Sequence, residues 1–163
     1  MTPEQAQQRA SLHARIESAI TSLADQPAPD QRDALLVEVA RYQAAFCVPY
    51  GRFVSQRLPG RLIASLDDVP ALPTDGFRFA RIASRDARDD VRTFESSGTT
   101  NDARSRHSFA DLSLYDLAAR LAARHALFPD LECMRLILLV PPESELVQWS
   151  LSYMLARFLT WFW

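Results

Sequence analysis

Thr93-Phe-Glu-Ser-Ser-Gly-Thr-Thr-Asn-Asp-Ala-Arg-Ser-Arg-His107 is the stretch on which the reading of this chain turns. Between Thr93 and Thr100 stand five hydroxyl side chains (Thr93, Ser96, Ser97, Thr99 and Thr100) and Gly98, one of four glycines in the protein. Arg104, Arg106 and His107 follow closely. Hydroxyl donors, backbone N–H groups freed at a glycine turn and nearby cations are what a polyphosphate needs. Val91 to Glu95 has the composition of a short strand, and a strand leading into a Gly/Ser/Thr loop is the usual setting of a phosphate-cradling turn. An ordinary surface loop shares that composition. Two chemistries are excluded. The segment has one glycine and no lysine, so it is not a Walker P-loop, and no glycine stands two residues before either serine, as a nucleophile elbow requires.

The rest of the chain sets bounds on this reading. At 163 residues it has the length of about one domain with a real core, and its 48% apolar and 23% charged content is that of a folded soluble protein. A net charge of −2 gives no reason to expect nucleic acid as a partner. Every basic residue is arginine, so no mechanism that uses a catalytic lysine is complete here. Cys47 and Cys133 sit singly in apolar surroundings and read as buried free thiols of a cytoplasmic protein. The three histidines have no metal spacing, and the polar N-terminus has no signal-peptide pattern.

Thr2-Pro-Glu-Gln predicts the start of a helix running to about Leu23, with Leu12, Ile16 and Ile20 on one face. Asp30 predicts the cap of a second helix to about Phe46, with Leu35, Leu36, Val39 and Tyr42 inward. Pro49-Tyr-Gly51 reads as a turn, followed by a short helical piece over 53–58. The proline-bearing stretch from Asp67 to Gly76 excludes a long helix. Phe77 to Ile82 alternates and reads as a half-buried strand, with Val91 to Glu95 returning beside it as a hairpin. Ser113-Leu-Tyr-Asp116 resembles a capping box for a helix with Leu114, Leu117, Leu121 and His125 on one face. Met134 to Val140 reads as a buried, parallel strand. Ser144 would cap a last helix through Tyr153 toward Trp163. That tail is very apolar but marginal for a membrane span, and a core helix is expected. An all-round apolar helix needs cover on several sides, so the sequence looks cut short, with self-association through this helix expected. The expected fold is α/β: a helical segment over 1–60, then a hairpin and an incomplete α/β layer over 61–163.

Ser96-Ser-Gly-Thr-Thr100 looks like the phosphate-loop motif of adenylate-forming ligases. The ordered set is more particular: Pro70-Ala-Leu-Pro-Thr-Asp-Gly-Phe77, Phe94-Glu-Ser-Ser-Gly-Thr-Thr100, Ser105-Arg-His107, Leu114-Tyr115, Leu138-Leu-Val-Pro-Pro142 and Ser150-Leu-Ser-Tyr-Met154. Together these resemble the acyl-protein synthetases of the LuxE type, relatives of phenylacetate–CoA ligase, over about Val69 to Met154. The resemblance implies the partial N-terminal domain of such a ligase. It also implies ATP and Mg²⁺ as cofactors, a fatty or other carboxylic acid activated as acyl-adenylate, and a thiol as acyl acceptor. Ser96, Ser97, Gly98, Thr99 and Thr100 would line the triphosphate, with Arg104 and Arg106 as candidates to neutralise its charge. His107 matches in position, with a structural role equally open.

Departures limit what the resemblance implies. Asn101 stands where many of these enzymes have glycine, and the basic residue after the loop is arginine rather than lysine. The aromatic-Gly-x-Thr-Glu segment, the ribose-binding aspartate, the catalytic lysine and the acyl-accepting cysteine have no counterpart in these residues, so no residue is assigned a catalytic role. The alternatives are a catalytically incomplete remnant that binds a nucleotide or docks a partner, and a domain whose Ser/Thr loop is incidental.

Overall fold

The computed structural model describes residues 2–23, 29–96, 104–130, 133–145 and 148–163. Ser97, Gly98, Thr99 and Thr100 lie outside them. The chain opens on α1 (Pro3–Leu23), α2 (Pro29–Phe46) and α3 (Val48–Arg57). The Gln5 N–H donates to Thr2 Oγ1 at 3.2 Å, and Pro3 occupies the first turn, where a missing N–H costs nothing. Leu12 and Ile16 of α1 meet Leu35, Tyr42 and Phe46 of α2. On its other side α2 sets Val37 and Ala40 against Tyr50 and Val54 of α3. Being covered on two sides, α2 buries Val37 and Ala40 as well, while Leu36, expected inward, is exposed.

Pro49-Tyr-Gly51 is not a turn but part of α3. Pro49 falls in the first turn of the helix, where it is tolerated. Gly51 lets α3 cross α2 closely, because a Cβ there would stand 2.4 Å from the Ala44 carbonyl oxygen.

Residues 58–91 wrap this helical layer with turns. Asp68 caps the start of a 3-10 turn, Leu66–Asp68, by reaching back to accept from the Ala64 and Ser65 N–H groups. Arg41 Nε donates to the Ile63 carbonyl at 2.7 Å, and the Tyr50 hydroxyl to that of Pro70 at 3.1 Å. The strand expected over Phe77 to Ile82 does not form. Instead the chain winds into α4 (Gly76–Phe79), with the Gly76, Phe77 and Arg78 N–H groups bonded to Pro73, Thr74 and Asp75. Over so short a stretch, strand alternation and a single helical turn leave the same apolar pattern.

The hairpin forms with another partner. β1 (Arg92–Glu95) pairs antiparallel with β2 (Arg106–Phe109), placing Phe94 opposite His107 and Glu95 opposite Arg106. The Ser/Thr/Gly segment is therefore the connection inside the hairpin rather than the exit from it. Among the described residues this is the only sheet, so the protein is mainly helical with a small antiparallel sheet. The expected α/β layer is not formed there. Met134 to Val140 has no ladder partner among the described residues. Leu136 packs against the neighbouring core and the Met134 N–H donates to the Phe162 carbonyl at 2.7 Å, but Ile137 and Leu139 point outward. Cys47 is buried, whereas Cys133, expected to be, is exposed.

The chain closes with α5 (Ser113–Ala126) and α6 (Ser150–Phe162). The N-cap position of α5 is Leu112, without a side-chain cap, and Asp111 just before it accepts from the Ser113 N–H at 2.6 Å; the expected Ser113–Asp116 box does not form, because Asp116 is turned to α6. His125, expected inward, is exposed. α6 starts at Ser150, not Ser144, and packs Phe158 and Phe162 against Ala123 of α5. α1 lies along α5 and joins the two halves. No described helix is long and apolar enough to cross a membrane.

Candidate functional site: the hairpin mouth

A two-stranded ribbon is marginal by itself, and β1–β2 is held by what lies under it. Phe94 is 4% exposed. Its ring stands 5.4 Å from that of Phe109, 5.8 Å from Tyr115 and 5.5 Å from Tyr153. Arg92 ion-pairs with Glu143 and lays its guanidinium over the Phe94 and Tyr153 rings. On the outer edge of β1, the Glu95 N–H donates to the Gln148 carbonyl at 2.8 Å.

Two hydrogen bonds close the mouth: the Ser96 N–H donates to the Ser105 carbonyl, and the Ser105 N–H to Ser96 Oγ, each at 3.0 Å. Ser96 is thereby part of the frame. Arg106 Nε lies 3.2 Å and Arg104 Nη1 3.8 Å from the Glu95 carboxylate. Two guanidinium groups thus share one carboxylate and leave the mouth cationic, with the Arg106 side chain mostly exposed and that of Arg104 about half so. That donor set suits an anionic oxygen ligand. His107 does not join it. Successive strand residues face opposite ways, and the His107 ring stacks on Phe77 with centroids 4.4 Å apart. Among the described residues no group of three His, Cys, Asp or Glu could hold a metal ion.

Sequence reasoning took Glu95 only as part of a motif, yet it gathers the two arginines. It read Asp116 as part of a capping box, whereas Asp116 accepts from the Tyr153 hydroxyl at 2.9 Å and lies 3.5 Å from Arg157 Nε. Burial first, and then this bond to a carboxylate, push Tyr153 up from 10 to about 12. Because the folded value lies above the unfolded one, the contribution is fully present below pH 10 and is lost as pH rises through about 12. A phenolate absorbance titration should therefore show one tyrosine ionising last, near the alkaline unfolding step, and Tyr153→Phe should remove that step.

A second feature is a cleft of about 720 Å³ between α1, α2 and residues 69–85, with Arg9, Tyr42 and Arg85 in its lining. Its residues are scattered along the chain from Arg9 to Leu114, so no sequence motif marks it.

No family model, curated protein or solved structure matches this chain.

Proposed function

We propose that this chain is the N-terminal part of an ATP-dependent ligase of the acyl-protein synthetase type. In this reading the Ser96–Thr100 segment holds the triphosphate while a fatty or other carboxylic acid is activated for transfer to a thiol. The observation that supports it is the hairpin mouth: both ends of the hydroxyl-rich segment are clamped by one ribbon, with Arg104 and Arg106 gathered there on Glu95. Bound with Mg²⁺, ATP would supply the α-phosphate as electrophile. The part of these residues is to bind and orient the phosphates, using hydroxyl donors, the close backbone approach that Gly98 permits and two guanidinium groups. Turnover is not assigned to them, because the sequence holds no lysine.

Calorimetry with ATP–Mg tests this reading. The wild-type chain should bind; Ser97→Ala/Thr99→Ala and Gly98→Val should lose binding while staying folded. Arg104→Gln/Arg106→Gln should weaken binding about tenfold or more, as loss of charge-assisted bonds does. Unchanged binding in the Gly98→Val protein would refute the loop assignment. A folded wild-type chain without affinity for ATP would favour the second reading, a partner-docking role. The outward Ile137 and Leu139 on an extended segment support that one.

A further inference from the structure

The cleft between α1, α2 and residues 69–85 touches the back of the hairpin at Ser108 and Phe109, but Glu95, Ser96, Arg104, Ser105 and Arg106 of the hairpin mouth are not in its lining. At about 720 Å³ it falls within the range of small-molecule sites. Leu12, Ile16, Val39, Val69, Leu72 and Ile82 make its lining largely apolar. Such a surface would bind any greasy body. The polar groups set into it are what select.

Those groups are incompletely partnered. Tyr42 is 6% exposed, and its hydroxyl has no hydrogen-bond partner among the described residues. Arg85 is mostly buried; its Nη2 faces Asp90 at 3.1 Å, but its Nε–H has no acceptor among them. A buried donor left without an acceptor is unfavourable, and in native structures it calls for an explanation. Arg9, half-buried at the same cleft, makes no ion pair with a described residue. Asp90 cannot balance these cations alone, because Arg81 already holds it at 2.6 Å. Burial, together with the nearby Arg81 and Arg9 charges, lowers the Arg85 pKa despite Asp90. Asp111 is the carboxylate in the lining, and it is engaged by the Ser113 N–H at the start of α5. The lining therefore sets two guanidinium groups, Arg9 and Arg85, against one carboxylate, Asp111, while Arg81 and Asp90 beside Arg85 pair with each other.

We propose that this cleft binds an organic monoanion with an apolar body, its anionic group held between Arg9 and Arg85 and the Tyr42 hydroxyl serving as a further donor. Neither the loop nor its arginines contribute to the cleft, so the proposal does not rest on ATP binding at the hairpin mouth, although an apolar carboxylate is also what the ligase reading activates.

The test is calorimetric titration of the full chain with decanoate and 2-naphthoate against their neutral counterparts, decanol and 2-naphthol. At least one acid should bind with a stoichiometry of one, and its neutral counterpart about tenfold more weakly, as loss of a charge-assisted bond implies. Arg9→Gln should weaken the acid by about the same factor and leave the alcohol unchanged. Arg32→Gln, which removes a charge from the exposed Arg32–Asp33 pair, should alter neither. Ser97→Ala/Thr99→Ala should keep acid binding even where ATP binding is lost, so the two readings fail separately. The proposal is overturned if neither acid binds the folded protein, if the alcohols bind as tightly as the acids, or if Arg32→Gln matches Arg9→Gln. Should Arg9→Gln not fold, the acid-to-alcohol ratio on the wild-type chain decides.

Discussion

Gly51→Ala is expected to destabilise the protein by about 3 kcal/mol, at the upper end of what overpacking a close contact does. The added methyl would lie 2.4 Å from the Ala44 carbonyl oxygen, where α3 crosses α2. That oxygen belongs to helix backbone and cannot swing aside as a side-chain tip would, so the two helices must separate. Helix propensity acts in the opposite direction, since alanine in a helix interior is better than glycine by about 1 kcal/mol. The sign of the measured change therefore tells which effect dominates. Gly60→Ala is the useful comparison: Gly60 has φ +68° but nothing within 4 Å of a Cβ, so only backbone strain applies, about 1 kcal/mol. Urea denaturation of both variants measures the difference. A Gly51→Ala protein as stable as wild type would mean that α2 and α3 do not cross at this distance. Against a typical domain stability of about 5–15 kcal/mol, the expected loss is a large fraction of the whole.

How much of this was legible in the sequence follows from where each signal resides. The starts of α1 and α5 are written within a few residues, and so is the amphipathic face of α1; Thr2 caps as its position predicts. Pairing is not local. β1 was identifiable from its own composition, but its partner Arg106–Phe109 offers one strongly apolar residue in four, weaker than the alternation over Phe77 to Ile82. What selects it is the closure of Ser96 on Ser105 and the cross-strand approach of Thr93 and Ser108, whose hydroxyls lie 3.2 Å apart. Likewise, Met134 to Val140 has the composition of a buried strand, but burial on both faces needs a neighbour on each, and among the described residues only one side is received, at Leu136, while Ile137 and Leu139 stay exposed. The loop and its arginines could be named because they are contiguous. The separation of His107 from Arg106 required knowing that both lie on one strand. The cleft required α1, α2 and the 69–85 turns to be assembled first, so its arginines look in sequence like ordinary surface charges.

Phe94→Ala should have the largest effect of any substitution that touches no phosphate. It removes a ring that three others contact and over which Arg92 lies, and emptying such a site costs about 3–5 kcal/mol. Phe94→Leu keeps most of the volume and should cost less, though more than the under 1.5 kcal/mol or so of a volume-matched swap, because the ring geometry is lost as well. Thermal and urea unfolding would rank the two. The consequence for function is sharper than the loss of stability. Phe94 is the buried anchor of a short ribbon, since β1 and β2 offer each other only four paired positions and the other contacts of β1, Arg92 with Glu143 and Glu95 with Gln148, are polar. Once Phe94 leaves the cluster, Glu95 no longer stands where it gathers Arg104 and Arg106, and the two ends of the hydroxyl-rich segment are no longer clamped. ATP–Mg binding should therefore fall in Phe94→Ala even below its unfolding transition, and should be largely kept in Phe94→Leu. If the alanine variant, still folded, bound ATP as the wild type does, the hairpin would not be what positions the loop. The observation on which the ligase reading rests would then lose its force.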